Sequence, residues 1–437
     1  MSVGKARLAA LKVLEKRKAD VPVPALLEDA FVKYGLDERD RAFCTGLAYG
    51  TMRCFGFLRH LFERHAKNPD KLPDACVLCL CMALYEICFR HTPDHAVVSE
   101  YVKIANKRAG AVLSRVVSGI LHAFLRGYDP AAGVDFFSLP DDEVQMACGL
   151  DAFFRNSASE GKTEAARSFL FMPSPSYRLK DKAADAVLPH NAVRCGRTVL
   201  CGDVRDGTGR LDSSGEFNRA MSRLVAGGEA TRQGASAQLL CRRITRYVPK
   251  DAAIWDACCG RGGKTLALAE SGMNVVFASD PSERRLAEFA QECRRLKITV
   301  PPTEALPLEA ISPGRKAWCV LIDVPCSGSG TLGRNPELKF RITPQRLAAV
   351  ESVQKSLLQE AWRRTPQGGL MIYATCSIFR RENEGRIGEF LAGEPGARLL
   401  AMENIGAGSW KDEKDGFSED LLLGQDRLFY AVMQRLS

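Results

Sequence analysis

Two stretches decide the fold: Leu321-Ile322-Asp323-Val324-Pro325-Cys326-Ser327-Gly328-Ser329-Gly330 and Leu370-Met371-Ile372-Tyr373-Ala374-Thr375-Cys376-Ser377. Each is an apolar, β-rich run that stops abruptly at small and polar residues, as a buried strand of a parallel sheet does. In open α/β sheets, ligands bind in the crevice beyond the carboxyl ends of the strands. The thiols of Cys326 and Cys376 are therefore expected in one site.

Around these strands, helix and strand alternate from Ala253 onward. Strand Ile254-Trp255-Asp256 runs through a glycine-rich turn into a helix from Gly263 to Ala269. Strand Val275–Ser279, helix Ser282–Leu296 and strand Ile298–Val300 follow. Strand Trp318–Ile322, helix Pro344–Arg364, strand Leu370–Ala374, helix Glu382–Leu391 and a late antiparallel strand, Leu428–Met433, complete the series. This order predicts an open, doubly wound Rossmann-like sheet.

The turn Asp256-Ala257-Cys258-Cys259-Gly260-Arg261-Gly262-Gly263-Lys264-Thr265 places glycines where backbone passes close to a ligand. Its end imitates a P-loop, but Cys258 stands where that motif needs its first glycine. A dinucleotide fingerprint fits poorly as well. Asp280 ends the next strand, where an acid accepts hydrogen bonds from both ribose hydroxyls of a nucleoside cofactor. The combination favours S-adenosylmethionine; a tight turn beside a solvated Asp is the structural alternative.

The 437 residues exceed one compact core and imply two or three domains. Lys and Arg number 61 against 52 Asp and Glu, a net charge of +9 that suits a polyanionic partner. Most of the excess lies in Met1–Pro130, with 20 basic and 14 acidic residues, a net +6. The 16 cysteines lack the spacing of a secreted scaffold and read as reduced thiols. The longest strongly apolar run, Val77–Phe89, is interrupted by Glu86 and falls short of the roughly 18 residues of a membrane span. Lys5–Lys18 has no apolar signal-peptide core. A soluble cytoplasmic protein without membrane contact is expected.

From Ala6 to about Gly127 the periodicity is helical, as in Leu8, Leu11 and Leu14 or Leu47, Met52, Phe55, Leu58 and Leu61. Prolines at 22, 24, 69, 73 and 93 divide it into five to seven helices. Cys76, Cys79 and Cys81 invite a zinc reading with His91 and His95, but no second Cys pair stands at finger spacing and Pro93 keeps the histidines off one helical face. Core thiols, with no metal, are expected. Asp129–Ser159 reads as a connection with one or two short helices, and Arg167–Gly228 as a small α/β subdomain.

The segments Leu84-Tyr85-Glu86 to Val97 and Ser118-Gly119-Ile120-Leu121-His122-Ala123-Phe124-Leu125-Arg126 resemble the NusB-like RNA-binding domain of the bacterial Sun/RsmB rRNA methyltransferases. Asp323-Val324-Pro325-Cys326-Ser327-Gly328-Ser329-Gly330-Thr331, continuing through Arg334-Asn335-Pro336-Glu337-Leu338-Lys339, pairs with Thr375-Cys376-Ser377 and Glu382-Asn383-Glu384. The pairing is similar to RNA cytosine-5 methyltransferases of the same family, those acting on 16S rRNA. The resemblance implies three domains: a helical NusB-like domain at 1–135, linker helices and a small α/β subdomain at 136–228, and a Rossmann-like class I methyltransferase domain at 229–437.

It also implies the chemistry. Carbon 5 of cytosine is a poor nucleophile, so a thiolate first adds to carbon 6. By resemblance Cys376 is that nucleophile and Cys326 assists elimination, whereas DNA cytosine-5 methyltransferases use the Pro-Cys thiol. Asp323 would meet the base near N3, and Lys264 would orient the base or stabilise Asp323. Cys258, Cys259, Gly260, Arg261, Gly262, Gly263, Lys264, Asp280, Glu304 and Asp323 would line the S-adenosylmethionine site. His95 matches the family's helix-start His and is expected to cap.

Several positions depart from the family pattern. Gly260-Arg261-Gly262-Gly263 replaces Ala-Pro-Gly-Gly, and Arg261 is placed to meet the methionine carboxylate or RNA phosphate. Glu304-Ala305 stands for Asp-Ala near the adenine, Lys180 for the Asn of an Arg-x-Asn strand, and Gly234 for the acid of Gln-Asp-x-Ser-x-Gln. Arg334, Lys339, Arg341, Arg380 and Arg381 offer phosphate contacts or ordinary surface charge. The expectation is a monomeric 16S rRNA cytosine-5 methyltransferase; a tRNA or other rRNA substrate, or a lapsed RNA-binding assembly factor, are the alternatives.

Overall fold

The computed structural model describes residues 4–129, 144, 148, 162–181, 188, 189, 191–201, 214–312, 317–406 and 424–436. Of the expected connection Asp129–Ser159, only Asp129, Val144 and Cys148 lie among them.

Seven helices form the front domain: α1 (Lys5–Glu15), α2 (Val23–Tyr34), α3 (Glu38–Arg53), α4 (Phe55–Glu63), α5 (Asp74–Arg90), α6 (Asp94–Ala109) and α7 (Ala111–Leu125). A helix apolar on every side must be surrounded, and α5, with every residue from Cys76 to Leu84 buried, runs through the middle against α1, α3, α4, α6 and α7. Its thiols are core groups; burial pushes Cys79 up to about 12. Glu86 is also fully buried there, and a charge in that position needs partners. The Arg7 guanidinium grips it at 2.8 and 2.6 Å and the Tyr101 hydroxyl at 2.6 Å. His95 does not cap: Pro93 precedes α6, so His95 is the second helical residue and is exposed.

After α8 (Lys162–Phe169) comes a four-stranded antiparallel sheet of β1 (Ser176–Leu179), β2 (Ala192–Cys195), β3 (Thr198–Cys201) and β4 (Ala230–Arg232), in the order β2-β3-β1-β4. Helix α9 (Ser214–Ala226) sets Phe217 and Met221 into a small core with Tyr177, Leu179 and Val199. Lys180 caps an outside helix by donating to the carbonyl of Leu296.

The third unit contains α10 (Ala235–Ile244), β5 (Ile254–Asp256), α11 (Gly263–Glu270), β6 (Val275–Ser279), α12 (Glu283–Leu296), β7 (Thr303–Glu304) and β8 (Cys319–Asp323). It closes with α13 (Pro344–Arg364), β9 (Leu370–Thr375), α14 (Glu384–Gly393), β10 (Ala397–Ile405) and β11 (Leu428–Arg435). The seven strands run β10-β11-β9-β8-β5-β6-β7, parallel from β9 to β7 and antiparallel at β11 and β10. The chain winds from β5 outward to β7, then returns to β8 and winds the other way. The switch point, where an open sheet binds ligands, thus lies between the ends of β5 and β8.

Two expected elements shift. Ile298–Val300 is not a strand: Lys297 takes a left-handed φ of 53° and Ile298 N–H closes the end of α12 on Cys293 O at 2.9 Å. Pairing begins only after Pro301-Pro302, which have no N–H to give. Helix α14 starts two residues late because Glu382 and Asn383 are committed to the loops described below. Edge strand β10 was not foreseen.

The front domain is welded to the third unit. Leu332, Leu347, Ile378 and Phe379 share its core, and Phe55 meets Phe340 edge-on at 5.2 Å. Arg53, buried, donates twice to Gly333 O at 3.0 and 2.9 Å. Lys339 donates to Arg53 O and Cys148 O at 2.9 and 2.6 Å, and Arg341 to Arg17 O and Val21 O at 3.2 and 2.8 Å. Burial lowers Lys339 to about 8. These two cations, read from the sequence as phosphate contacts or ordinary surface charge, instead satisfy carbonyls of the front domain and of Cys148.

Candidate active site

The loops after β8 and β9 meet beside the switch point. Cys326 Sγ and Cys376 Sγ stand 3.0 Å apart as free thiols, and Cys376 N–H points at Cys326 Sγ at 3.3 Å. Gly330 N–H holds Cys376 O at 2.9 Å, and Arg427 N–H holds Gly330 O at 2.8 Å. The approach is so close that a Cβ on Gly330 would lie 2.0 Å from Arg427 O, which only glycine avoids.

A buried bracket fixes both loops. Glu382, fully buried, accepts from Ser327 N–H at 2.8 Å and Gln354 Nε2 at 3.0 Å through one oxygen, and from the hydroxyls of Ser327 and Ser377 through the other. Asn383, also fully buried, accepts from Thr375 Oγ1 at 2.7 Å and donates to Ser377 O at 2.8 Å. Ser329 Oγ accepts from Ile378 N–H at 3.0 Å. The bracket was not anticipated: Glu382 reads as the first residue of a helix, and the resemblance that pairs Glu382-Asn383-Glu384 with Thr375-Cys376-Ser377 gives it no contact to that loop.

Lys264, at the start of α11, donates to Asp323 Oδ2 at 2.6 Å. Burial opposes the Lys264 charge, but Asp323 outweighs it and the ammonium is held. The Cys376 thiol is pushed well above its ordinary value by its hydrogen bond to Cys326, then by burial and Asp323, against the pull of Lys264. Without a substrate base the nucleophile candidate is therefore protonated.

Beside this lies the glycine turn. Gly262 sits at φ 77° with its Cα pressed on Phe289, where a Cβ would come within 2.0 Å of the ring. Asp280, buried at the end of β6, accepts from Gly260 N–H at 3.1 Å and Ser282 N–H at 2.9 Å. Its Oδ2 also faces Arg285 Nη1 at 3.5 Å. Glu304 ends β7 alongside, its carbonyl accepting from Asp280 N–H at 3.4 Å. Asp256, buried, accepts from Thr265 Oγ1 at 2.6 Å, and burial raises its carboxyl to about 6. The field here is acidic: Cys258 is pushed well above its ordinary value by burial, then by Asp256, Asp323, Asp280 and Glu309. Cys259 is buried and bonded to Ser279 O through its N–H at 3.0 Å. A bare backbone turn, a strand-end acid and surrounding carboxylates fit a cationic sulfonium nucleoside.

Other basic residues are partnered. Arg261 pairs with Glu288 at 2.5 Å, Arg334 with Asp426 at 3.1 Å and Arg381 with Glu351 at 2.8 Å. Arg380 is exposed.

Comparison with known proteins adds the family. Residues 246–434 match the model of 16S rRNA methyltransferase RsmB/F, and residues 4–126 match the NusB family. A methyltransferase of Mycobacterium tuberculosis is 30% identical over 409 residues, covering 86% of this chain and 83% of its own. This chain belongs to the RsmB/F family of 16S rRNA methyltransferases. Ribosomal RNA small subunit methyltransferase B of Thermus thermophilus is 28% identical over 447 residues, 100% of this chain and 99% of that one. The counterpart in Pseudomonas putida is 28% identical, covering 91% of each. The crystal structure of PH0851 matches the whole length of both chains with TM-score 0.64 at 20% identity, so the fold is shared. As an RsmB/F member the chain is an RNA methyltransferase with S-adenosylmethionine as its cofactor and a NusB-type helical front domain. Among the described residues, no helix is long and apolar enough to cross a membrane.

Proposed function

We propose that this RsmB/F enzyme methylates carbon 5 of a cytosine in 16S rRNA, with Cys376 as the nucleophile and Cys326 as the residue that assists release. The observation that carries the reading is the pair of free thiols 3.0 Å apart, one on each strand-end loop, beside the Lys264–Asp323 ion pair. Two thiols suit a reaction that both makes and breaks a sulfur–carbon bond.

S-adenosylmethionine, when bound, supplies an electrophilic methyl group; the turn at Cys258–Gly263, Asp280 and Glu304 are the residues proposed to hold it. Cys376 Sγ bonds to carbon 6 of the base as its proton passes, by way of Asp323, to N3. Lys264 keeps Asp323 oriented for that transfer. The electrons displaced from the 5,6 double bond make carbon 5 nucleophilic. Once carbon 5 is methylated, its proton passes to solvent, the 5,6 double bond re-forms as the bond from Cys376 to carbon 6 breaks, and the N3 proton returns by way of Asp323 to the Cys376 sulfur. Cys326, touching Cys376, is placed to assist the last stage.

The base must leave its stack to reach the partly buried thiols at the strand ends, as other base-modifying enzymes require. The test is methyl transfer to unmodified 16S rRNA followed by nucleoside analysis. 5-Methylcytidine made by wild type and lost in Cys376→Ser supports the reading. Methyl transfer that survives in Cys376→Ser, or that appears on another base, refutes it.

A further inference from the structure

The glycine turn and Lys264 are both governed by where α11 begins, and one contact to that point comes from outside the Rossmann-like sheet. Gln233, just after β4, donates from Nε2 to Gly263 O at 2.9 Å. Its own backbone is pinned on both sides: Gln233 N–H donates to Ser176 O at 3.2 Å, while Gln233 O accepts from Ser176 Oγ and Gln238 Nε2, each at 2.9 Å. The side-chain oxygen accepts from Arg178 on β1. With its oxygen held, the amide can only present its N–H groups to Gly263.

Arg178 grips the other end of the same helix. Its Nε donates to Glu270 Oε2 at 2.5 Å, with both side chains about 5% exposed or less. Arg197 adds a bond to Glu270 O at 2.8 Å. Helix α11 rises roughly 10 Å from Gly263 to Glu270. One guanidinium therefore reaches the last residue directly and the first through Gln233. A planar fork is suited to two fixed acceptors, where a flexible ammonium is not.

We infer that Gln233 is a positioning residue for cofactor binding, and that the small antiparallel sheet serves as a clamp setting the start of α11 and hence the glycine turn. The inference rests on the methyltransferase reading of that turn.

The experiment uses full-length protein and two substitutions, with S-adenosylmethionine affinity measured by titration calorimetry and unfolding temperature measured without cofactor. Gln233→Met removes both contacts. Gln233→Glu keeps the partner of Arg178 but sets a carboxylate against the Gly263 carbonyl. Both are expected to weaken cofactor binding about tenfold, a loss of about 1.4 kcal/mol, while Gln233→Glu unfolds at the wild-type temperature. The methyl-transfer KM for cofactor should rise by the same factor, with kcat changed less than threefold. Cofactor affinity in Gln233→Glu within twofold of wild type would overturn the inference. So would a loss of affinity that merely follows a falling unfolding temperature through both variants. Wild-type protein that fails to bind S-adenosylmethionine would overturn the reading of the turn itself, and the clamp with it.

Discussion

Replacing Glu382 by alanine tests whether the two cysteine loops are held by one buried carboxylate. Four donors converge on it: Ser327 N–H, Gln354 Nε2 and the hydroxyls of Ser327 and Ser377. They would not all be stranded. Ser377 Oγ already lies 3.2 Å from Ser327 Oγ and 3.0 Å from Ser329 Oγ, so the hydroxyls can pair with one another. Gln354 Nε2 keeps Pro325 O at 2.9 Å. The Ser327 N–H is orphaned, at a cost of about 1–3 kcal/mol. The emptied volume adds to this, for a total of roughly 3 kcal/mol, within the range of broken buried networks. At roughly 2–4 °C per kcal/mol for a domain of this size, the catalytic domain should unfold about 6–12 °C lower. Because loop displacement near 1 Å costs about a hundredfold in rate, single-turnover methyl transfer should fall by that order. Glu382→Gln keeps the volume, and the serine hydroxyls can turn to accept from its amide, so it should lose only about 1 kcal/mol. Thermal unfolding and single-turnover assays of both variants decide the matter. Alanine that costs under about 1 kcal/mol and leaves the rate within threefold of wild type would refute the bracket.

Two further outcomes follow from buried charges. Asp256 has its carboxyl raised to about 6, so its contribution to stability is present below the ordinary carboxylate range and is lost as pH rises through 6; the penalty at neutral pH is on the order of 3 kcal/mol. Asp256→Asn should therefore flatten the unfolding temperature between pH 4 and 7, and an unchanged pH profile would contradict this. At the domain junction, Arg53→Met removes two charge-assisted bonds to Gly333 O and should destabilise by about 2–3 kcal/mol. Because Gly333 lies seven residues beyond Cys326, turnover should drop while the front domain's own helical signal is retained; full activity would show that the junction does not support the loop.

The strands that carry the thiols were legible because their apolar runs end sharply at Asp323 and Thr375, and a period of two in a parallel sheet leaves little freedom of register. The glycine turn and Asp280 were legible for the same reason. What failed to show is what tertiary packing decides. Lys339 and Arg341 look like surface charge in the sequence, yet the front domain offers them carbonyl oxygens in a dry junction. Arg261, largely exposed, pairs with Glu288, a partner one helix away that the sequence does not point to. Glu382 has good helix propensity and was placed in α14, while its long-range partners withdraw it from the helix. Edge strand β10 alternates half-buried with exposed residues from Ala397 to Asn404, but with Leu400 and Met402 exposed and Glu403 half-buried the sequence carries no matching apolar alternation. The strand expected at Ile298–Val300 was displaced by helix capping and by two prolines, both visible in the sequence.

The covalent role of Cys376 is tested most directly with Cys326→Ala protein, unmodified 16S rRNA and S-adenosylmethionine, resolved on a denaturing gel. If Cys376 attacks the base and Cys326 promotes release, a slow-migrating protein–RNA band accumulates and vanishes in the Cys326→Ala, Cys376→Ala double variant. A band that persists without Cys376, or turnover by Cys326→Ala at the wild-type rate with no band, would contradict that division of labour.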